Sequence, residues 1–136
     1  MHGKANGQAT IRVPISPGEL IDKIAILEIK CARIVDEVKR ANVAHELALL
    51  SAARDAAIPP SDALDKLAAE LQAVNAKLWD IEDAIRRHER SGEFGRGFIA
   101  LARAVYQTND RRAAIKRQIN DLLGAAIVEE KSYAAY

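Results

Sequence analysis

Residues 19–58 contain neither glycine nor proline, and their apolar side chains recur every three or four positions. This spacing predicts an α-helix, because a side chain returns to the same face of a helix after three or four residues. Apolar residues make up 49% of the chain and aromatic residues only 4%, so Ala, Leu and Ile supply most of the apolar surface. Such a composition favours helices over β-sheet architectures. The sequence therefore predicts an all-α protein.

The first predicted helix begins at Ser16. The Ser16 hydroxyl is placed to accept from the amide of Glu19, the Glu19 carboxylate is placed to reach back to the amide of Ser16, and Pro17 occupies the first helical position. An apolar seam follows at coiled-coil spacing: Leu20, Ile24, Leu27, Cys31, Ile34 and Val38. Its phase changes near Asn42, which predicts either a single helix of about 60 Å, at ~1.5 Å per residue, or a bend near Asn42.

Two more helices are predicted by the same spacing. The second begins at Ser61 or Asp62 and carries an unbroken apolar seam. The members of this seam are Leu64, Leu67, Leu71, Val74, Leu78, Ile81 and Ile85. The third helix runs from about residue 98 to residue 123. The glycine-rich segment 91–97 between them predicts a tight turn with Phe94 folded onto the bundle.

These segments predict an elongated antiparallel three-helix bundle or coiled coil, because short connections place consecutive helices side by side. We expect a flexible N-terminus over residues 1–10 and a single helical-bundle domain over residues 11–136. Residues 11–15 are predicted to form a short extended N-terminal arm, and residues 125–136 a docked C-terminal segment. Three helices leave part of the wide apolar face of the first helix uncovered, so we expect a homo-oligomer.

The residue counts exclude several kinds of site. A single cysteine, Cys31, rules out an intrachain disulfide, and its place on the apolar seam predicts a buried small side chain. The three histidines lie far apart in the sequence, so we expect neither a metal site nor a cofactor. No apolar run approaches the ~18 residues of a membrane span, and residues 1–10 lack the apolar core of a secretory signal. The cytoplasm is therefore the expected location.

Positive charge is concentrated in one part of the chain. The net charge is +1, but residues 86–117 hold nine of the 20 Lys and Arg side chains and only three of the 19 acidic ones. The simpler interpretation is that this segment pairs with acidic parts of the bundle or of another subunit. The alternative is an anion-binding face. A nucleic-acid partner is not expected, since the charges are dispersed and the sequence has no DNA-binding motif.

Polar side chains interrupt the seam of the third predicted helix. Asn109, Arg112 and Lys116 lie near one face of it, because they are three and four residues apart. In an antiparallel arrangement they meet the polar residues of the second helix: Asn75, Trp79, Glu82 and Asp83. One interpretation is a set of salt bridges and hydrogen bonds that fixes the register of the helices. The other is a pocket for an anionic small molecule. Its binding residues are then Trp79, Arg103, Asn109, Arg112 and Lys116, and no catalytic residue is predicted.

Four segments together resemble a family of small bacterial proteins of unknown function. They are VPISPGELIDKIAILEIK (13–30), VNAKLWDIEDAIR (74–86), FIALARAVYQTNDRRAAIKRQIN (98–120) and VEEKSYAAY (128–136). The resemblance covers nearly all of the chain from Ile11 onward and brings no established activity or catalytic residue. It implies a link to bacterial surface-polysaccharide machinery, and with it a partner protein or a sugar-nucleotide ligand.

A looser resemblance connects the segment ELIDKI (19–24) with all-helical chorismate mutases, whose basic pocket binds a dicarboxylate. It implies that four cations clamp carboxylates, namely Arg33, Lys39, Arg103 and Arg112. The chain departs from that family in its longer first helix and in lacking the expected C-terminal catalytic face with a glutamine or glutamate.

Two classes of function follow from the sequence. The first, which the wide apolar face favours, is a non-catalytic, self-associating interaction or scaffold module. The second is a domain that binds a small anionic metabolite or sugar nucleotide, including a small helical enzyme of chorismate-mutase type.

Overall fold

The computed structural model describes residues 10–136 and contains four α-helices within them. They are α1 (Pro17–Arg33), α2 (Glu37–Ala57), α3 (Asp62–Ser91) and α4 (Arg96–Leu123). No strand occurs in this part of the chain, so the predicted all-α class is confirmed, whereas the prediction of three helices is wrong. Residues 10–16 are neither helix nor strand. The flexible N-terminus predicted for residues 1–10 lies, except for Thr10, outside the described residues.

The fourth helix arises from a break that the sequence analysis placed incorrectly. The helix that begins at Ser16 ends at Arg33, not near Asn42, and α2 begins four residues later. The Asp36 carboxylate caps α2 by accepting from the amide of Lys39 at 2.9 Å. A short polar side chain can start a new helix without glycine or proline, because its oxygen accepts from a free amide of the first turn. In the sequence, Asp36 followed by Glu37 indicated the start of α2, because acidic side chains are favoured in the first turn of a helix.

Helix α1 is the centre of the packing. It contacts each of the other three helices, α3 and α4 form a long antiparallel pair, and α2 contacts α1 alone among the helices. The buried cluster that unites α1, α3 and α4 consists of Leu20, Ile21, Ile24, Ile58, Leu64, Leu71, Val74, Ile115 and Ile119. Five of its nine members, Leu20, Ile24, Leu64, Leu71 and Val74, lie on the first two predicted seams. The helices therefore meet along the faces that the three-and-four spacing predicted, and α2 is added to one side.

The turn between α3 and α4 lies within the glycine-rich segment 91–97, as predicted. Gly92 ends α3 with a φ of +71°, a conformation that strongly favours glycine. Phe94 remains 53% exposed and meets the Phe98 ring edge-to-face at 5.2 Å, so it packs on the start of α4 and not in the core.

Cys31, for which the sequence predicted a buried side chain, is half-buried. Across residues 10–136, none of the helices has the length and apolar character needed to cross a membrane.

Candidate functional site

A buried carboxylate connects three helices at the centre of the molecule. Asp22 of α1 is 0% exposed. One of its oxygens accepts from Asn75 Nδ2 of α3 at 2.8 Å and from Arg112 Nε of α4 at 2.9 Å. Its other oxygen accepts from a second nitrogen of Arg112, which makes the pair bidentate. The remaining Arg112 nitrogen lies 3.5 Å from Asn109 Oδ1.

This arrangement engages the guanidinium of Arg112 within the protein. The hydrogen bond to Asp22, against the opposing effect of burial, raises the pKa of Arg112 above its usual value. Bidentate arginine–carboxylate pairs combine strength with a fixed geometry. Asp22, Asn75 and Arg112 thus link α1, α3 and α4. The sequence analysis expected Arg112 to meet the polar residues of the second predicted helix, but its carboxylate partner lies on α1.

Sequence reasoning missed Asp22, although a signal was present. The predicted seam of α1 ran through Leu20, Ile24 and Leu27. A second stripe at spacings of four, three and four is also buried, and it consists of Gly18, Asp22, Ala25 and Ile29. A charged residue inside a buried stripe needs a partner on another helix, because an unpaired buried charge is too costly. Arg112 supplies that partner from a position 90 residues further on.

A second polar cluster lies one turn away, at the N-terminus of α1. Lys116 is 7% exposed and donates to Glu19 at 2.8 Å and to Glu129 at 3.0 Å. Burial disfavours its charged form, but the two carboxylates outweigh burial and raise the pKa of Lys116. The hydrogen bond from Lys116 lowers the pKa of Glu129. Of the predicted capping box, the bond from the Glu19 amide to the Ser16 hydroxyl is present at 3.2 Å, while the Glu19 carboxylate accepts from Lys116.

The five residues proposed from the sequence as a ligand site fall into different places. Trp79, Asn109 and Arg112 line one groove between α1, α3 and α4. Lys116 borders a different cavity, beneath the C-terminal segment. Arg103 is exposed and does not line either of these two cavities.

The groove beside Trp79 has a volume of about 510 Å³, within the range of small-molecule sites. Four charged side chains line it without an ion pair to any residue in the described chain: Lys30, Glu82, Asp83 and Arg86. The Trp79 ring faces the guanidinium of Arg33 at 5.9 Å, and Arg33 in turn pairs with Asp80 at 2.5 Å. The groove thus offers both signs of charge beside an indole.

A family model matches residues 11–136 and is described as a family of unknown function, DUF6165. The chain belongs to the DUF6165 family. This confirms the predicted resemblance to an uncharacterised family. Neither the curated proteins nor the solved structures gave a match to this DUF6165 protein.

The looser resemblance to chorismate mutases required four converging cations. In this DUF6165 protein Arg33 is paired with Asp80, and Arg112 is paired with Asp22. Lys39 and Arg103 are exposed. Two of the four cations are therefore already engaged by carboxylates of the chain itself.

Proposed function

We propose that this DUF6165 protein is a non-catalytic helical interaction module that self-associates in the bacterial cytoplasm through the outer face of α2. The observation that carries the proposal is that α2, although 21 residues long, has no buried residue. Val38 is 72% exposed and Leu49 is 53% exposed. These two residues are eleven positions apart, about three helical turns, and so lie on one face of α2. Two exposed apolar side chains on one face of a helix with a single neighbour suit a second copy as partner.

The polar centre supports a structural role. Asp22, Asn75 and Arg112 satisfy one another between three helices, so the most deeply buried carboxylate of the described residues, Asp22, is used in holding the helices together. The resemblance to the bacterial family adds the expectation that a further partner belongs to surface-polysaccharide machinery.

Self-association is tested by placing charges on the outer face of α2. The double variant Val38→Glu/Leu49→Glu is expected to sediment as a monomer at concentrations where the unmodified protein is an oligomer, because two desolvated carboxylates oppose contact. The measurement is sedimentation velocity, with circular dichroism to confirm the helix content. Ile99→Glu is the matched control, since Ile99 is 55% exposed on α4. An unmodified protein that stays monomeric at high micromolar concentration would count against the proposal.

A second candidate is a domain that binds an anionic metabolite or sugar nucleotide, with or without catalysis. The groove beside Trp79 favours it, because Lys30 and Arg86 line the groove without ion pairs to any residue the structure describes. Cations of this kind bind carboxylate or phosphate, and the indole supplies a wall for a ring.

A thermal-shift screen against anionic metabolites and sugar nucleotides tests this candidate, with the fluorescence of Trp79 as a second readout. A ligand at about 100 times its dissociation constant adds ~2.7 kcal/mol to the free energy of unfolding. The variants Lys30→Ala and Arg86→Ala should lose that shift while the unliganded protein melts as before. Arg87→Ala is the control, since Arg87 is exposed beside Arg86 and does not line the groove. If no anion shifts the melting temperature, the candidate fails.

A further inference from the structure

The C-terminal segment, residues 125–136, returns along α4 without forming helix or strand. Two carboxylates hold its first half. Glu129 accepts from Lys116 at 3.0 Å, and Glu130 pairs with Arg117 at 3.5 Å. The segment therefore places adjacent acidic side chains on adjacent cations of α4.

A tyrosine holds the other end of this segment. The Tyr136 hydroxyl donates to Asp110 Oδ2 at 2.5 Å, and this bond raises the pKa of Tyr136. The Tyr136 ring also meets the Tyr106 ring edge-to-face at 4.8 Å. This end of the α4 face thus offers a carboxylate acceptor beside an aromatic ring, which suits a phenol.

The segment is held by polar contacts and buries little apolar surface. Its largest side chains remain well exposed: Ile127 46%, Val128 40%, Tyr133 79% and Tyr136 77%. A cavity of about 840 Å³ remains between the segment and α4, lined in part by Val105 and Tyr106. The Arg117–Glu130 pair is exposed on both sides, and exposed ion pairs contribute little to stability. Covalent attachment keeps the segment in place, because a short linker supplies an effective concentration on the order of millimolar.

We propose that this face of α4 is a docking site for an extended peptide of a partner protein, and that the C-terminal segment is its intramolecular occupant. The peptide carries two adjacent carboxylates and, six residues after the second, a tyrosine, as Glu130 and Tyr136 are spaced here. Charge complementarity carries the proposal: Lys116 and Arg117 receive the carboxylates, and Asp110 receives the hydroxyl. The site lies on α4 and is independent of self-association through α2.

A partner peptide has to displace the C-terminal segment before it binds. Its apparent affinity is therefore reduced by the fraction of molecules in which the face is open. Substitutions that weaken the attachment of the C-terminal segment should therefore strengthen the binding of a separate peptide that carries the same acidic and tyrosine side chains. If the face is open in about a tenth of the molecules, full release of the segment raises the affinity about tenfold.

The probe is a fluorescently labelled synthetic peptide of residues 125–136, and fluorescence anisotropy measures its binding to full-length protein. The release variant carries Glu129→Gln, Glu130→Gln and Tyr136→Ala. We expect it to bind the probe about tenfold more tightly than the unmodified protein does. Tyr136→Ala alone, a change at a side chain 77% exposed, should give an intermediate affinity and cannot disturb the core. Higher salt should weaken binding in every case.

Two controls locate the site. In the release background, Arg117→Ala and Asp110→Ala should each weaken binding, whereas Arg87→Ala, at an exposed position outside this face, should not. A probe with glutamine in place of both glutamates should bind less tightly. Equal affinities of the unmodified protein and the release variants would overturn the proposal, and so would binding that is indifferent to Arg117 and Asp110. A dimer that dissociates when the probe is added would overturn the choice of a partner protein, because a second copy would then supply the peptide.

Discussion

Replacing Asp22 by alanine is expected to lower the free energy of unfolding by about 3–5 kcal/mol, because it leaves the Arg112 guanidinium without its buried partner. The Asp22 carboxylate is fully buried and accepts hydrogen bonds from two other helices. Asn75, itself 6% exposed, also loses its acceptor. Urea unfolding followed by circular dichroism measures the change, with the slope of the transition checked for a change in the denatured state.

Asp80→Ala is the matched control for this prediction. Asp80 also pairs with an arginine of another element, Arg33, but its side chain is 67% exposed. Removing an exposed ion pair changes stability by no more than about 1 kcal/mol. Equal effects of the two substitutions would contradict a structural role for Asp22.

A double variant separates the cost of an unpaired charge from the value of the pair. Asp22→Leu combined with Arg112→Met removes both charges and keeps a similar volume. It should recover much of the stability lost in Asp22→Ala, since apolar replacement of a whole buried ion pair is often neutral or stabilising. A double variant less stable than Asp22→Ala would show that the pair itself stabilises the fold.

Local signals in the sequence predicted most of the helical structure. Ser16 and Ser61 begin helices as predicted, since each hydroxyl accepts from the amide three residues on. The seam of α3 is buried at Leu64, Leu71 and Val74, because helical spacing alone determines which side chains share a face. Such features depend on residues within one turn, so a single sequence reveals them.

Contacts between distant residues were beyond local reasoning. Asp22 is buried because Arg112 lies opposite it, and the Glu19 carboxylate turns to Lys116 instead of completing its capping box. Arg112 and Lys116 are four residues apart and were predicted to lie near one face of the helix, but each cation pairs with a different carboxylate of α1. Which partner a charge finds depends on how the helices cross, and helix spacing does not specify that.

Gly18→Ala is expected to destabilise the protein by about 1–3 kcal/mol, the usual cost of inserting atoms into a packed contact. At Gly18, α1 and α4 lie in close contact. A Cβ there would lie 2.5 Å from the backbone oxygen of Lys116 and 2.8 Å from Asn120 Oδ1. The Lys116 oxygen belongs to the helix backbone, so the helices must separate. Separation also strains the bond from the Gly18 amide to Asn120 Oδ1, now 2.7 Å long.

The sign of this effect distinguishes packing from helix propensity. Alanine is the better helix former by about 0.5–1 kcal/mol, so propensity alone predicts that Gly18→Ala stabilises the protein. Gly97→Ala is the matched control in the first turn of α4, where a Cβ meets only the His88 side chain, at 3.2 Å. It should change the free energy of unfolding by less than about 1 kcal/mol. Thermal and urea unfolding of both variants decide the matter: a Gly18→Ala protein as stable as the original would mean that α1 and α4 do not meet at this glycine.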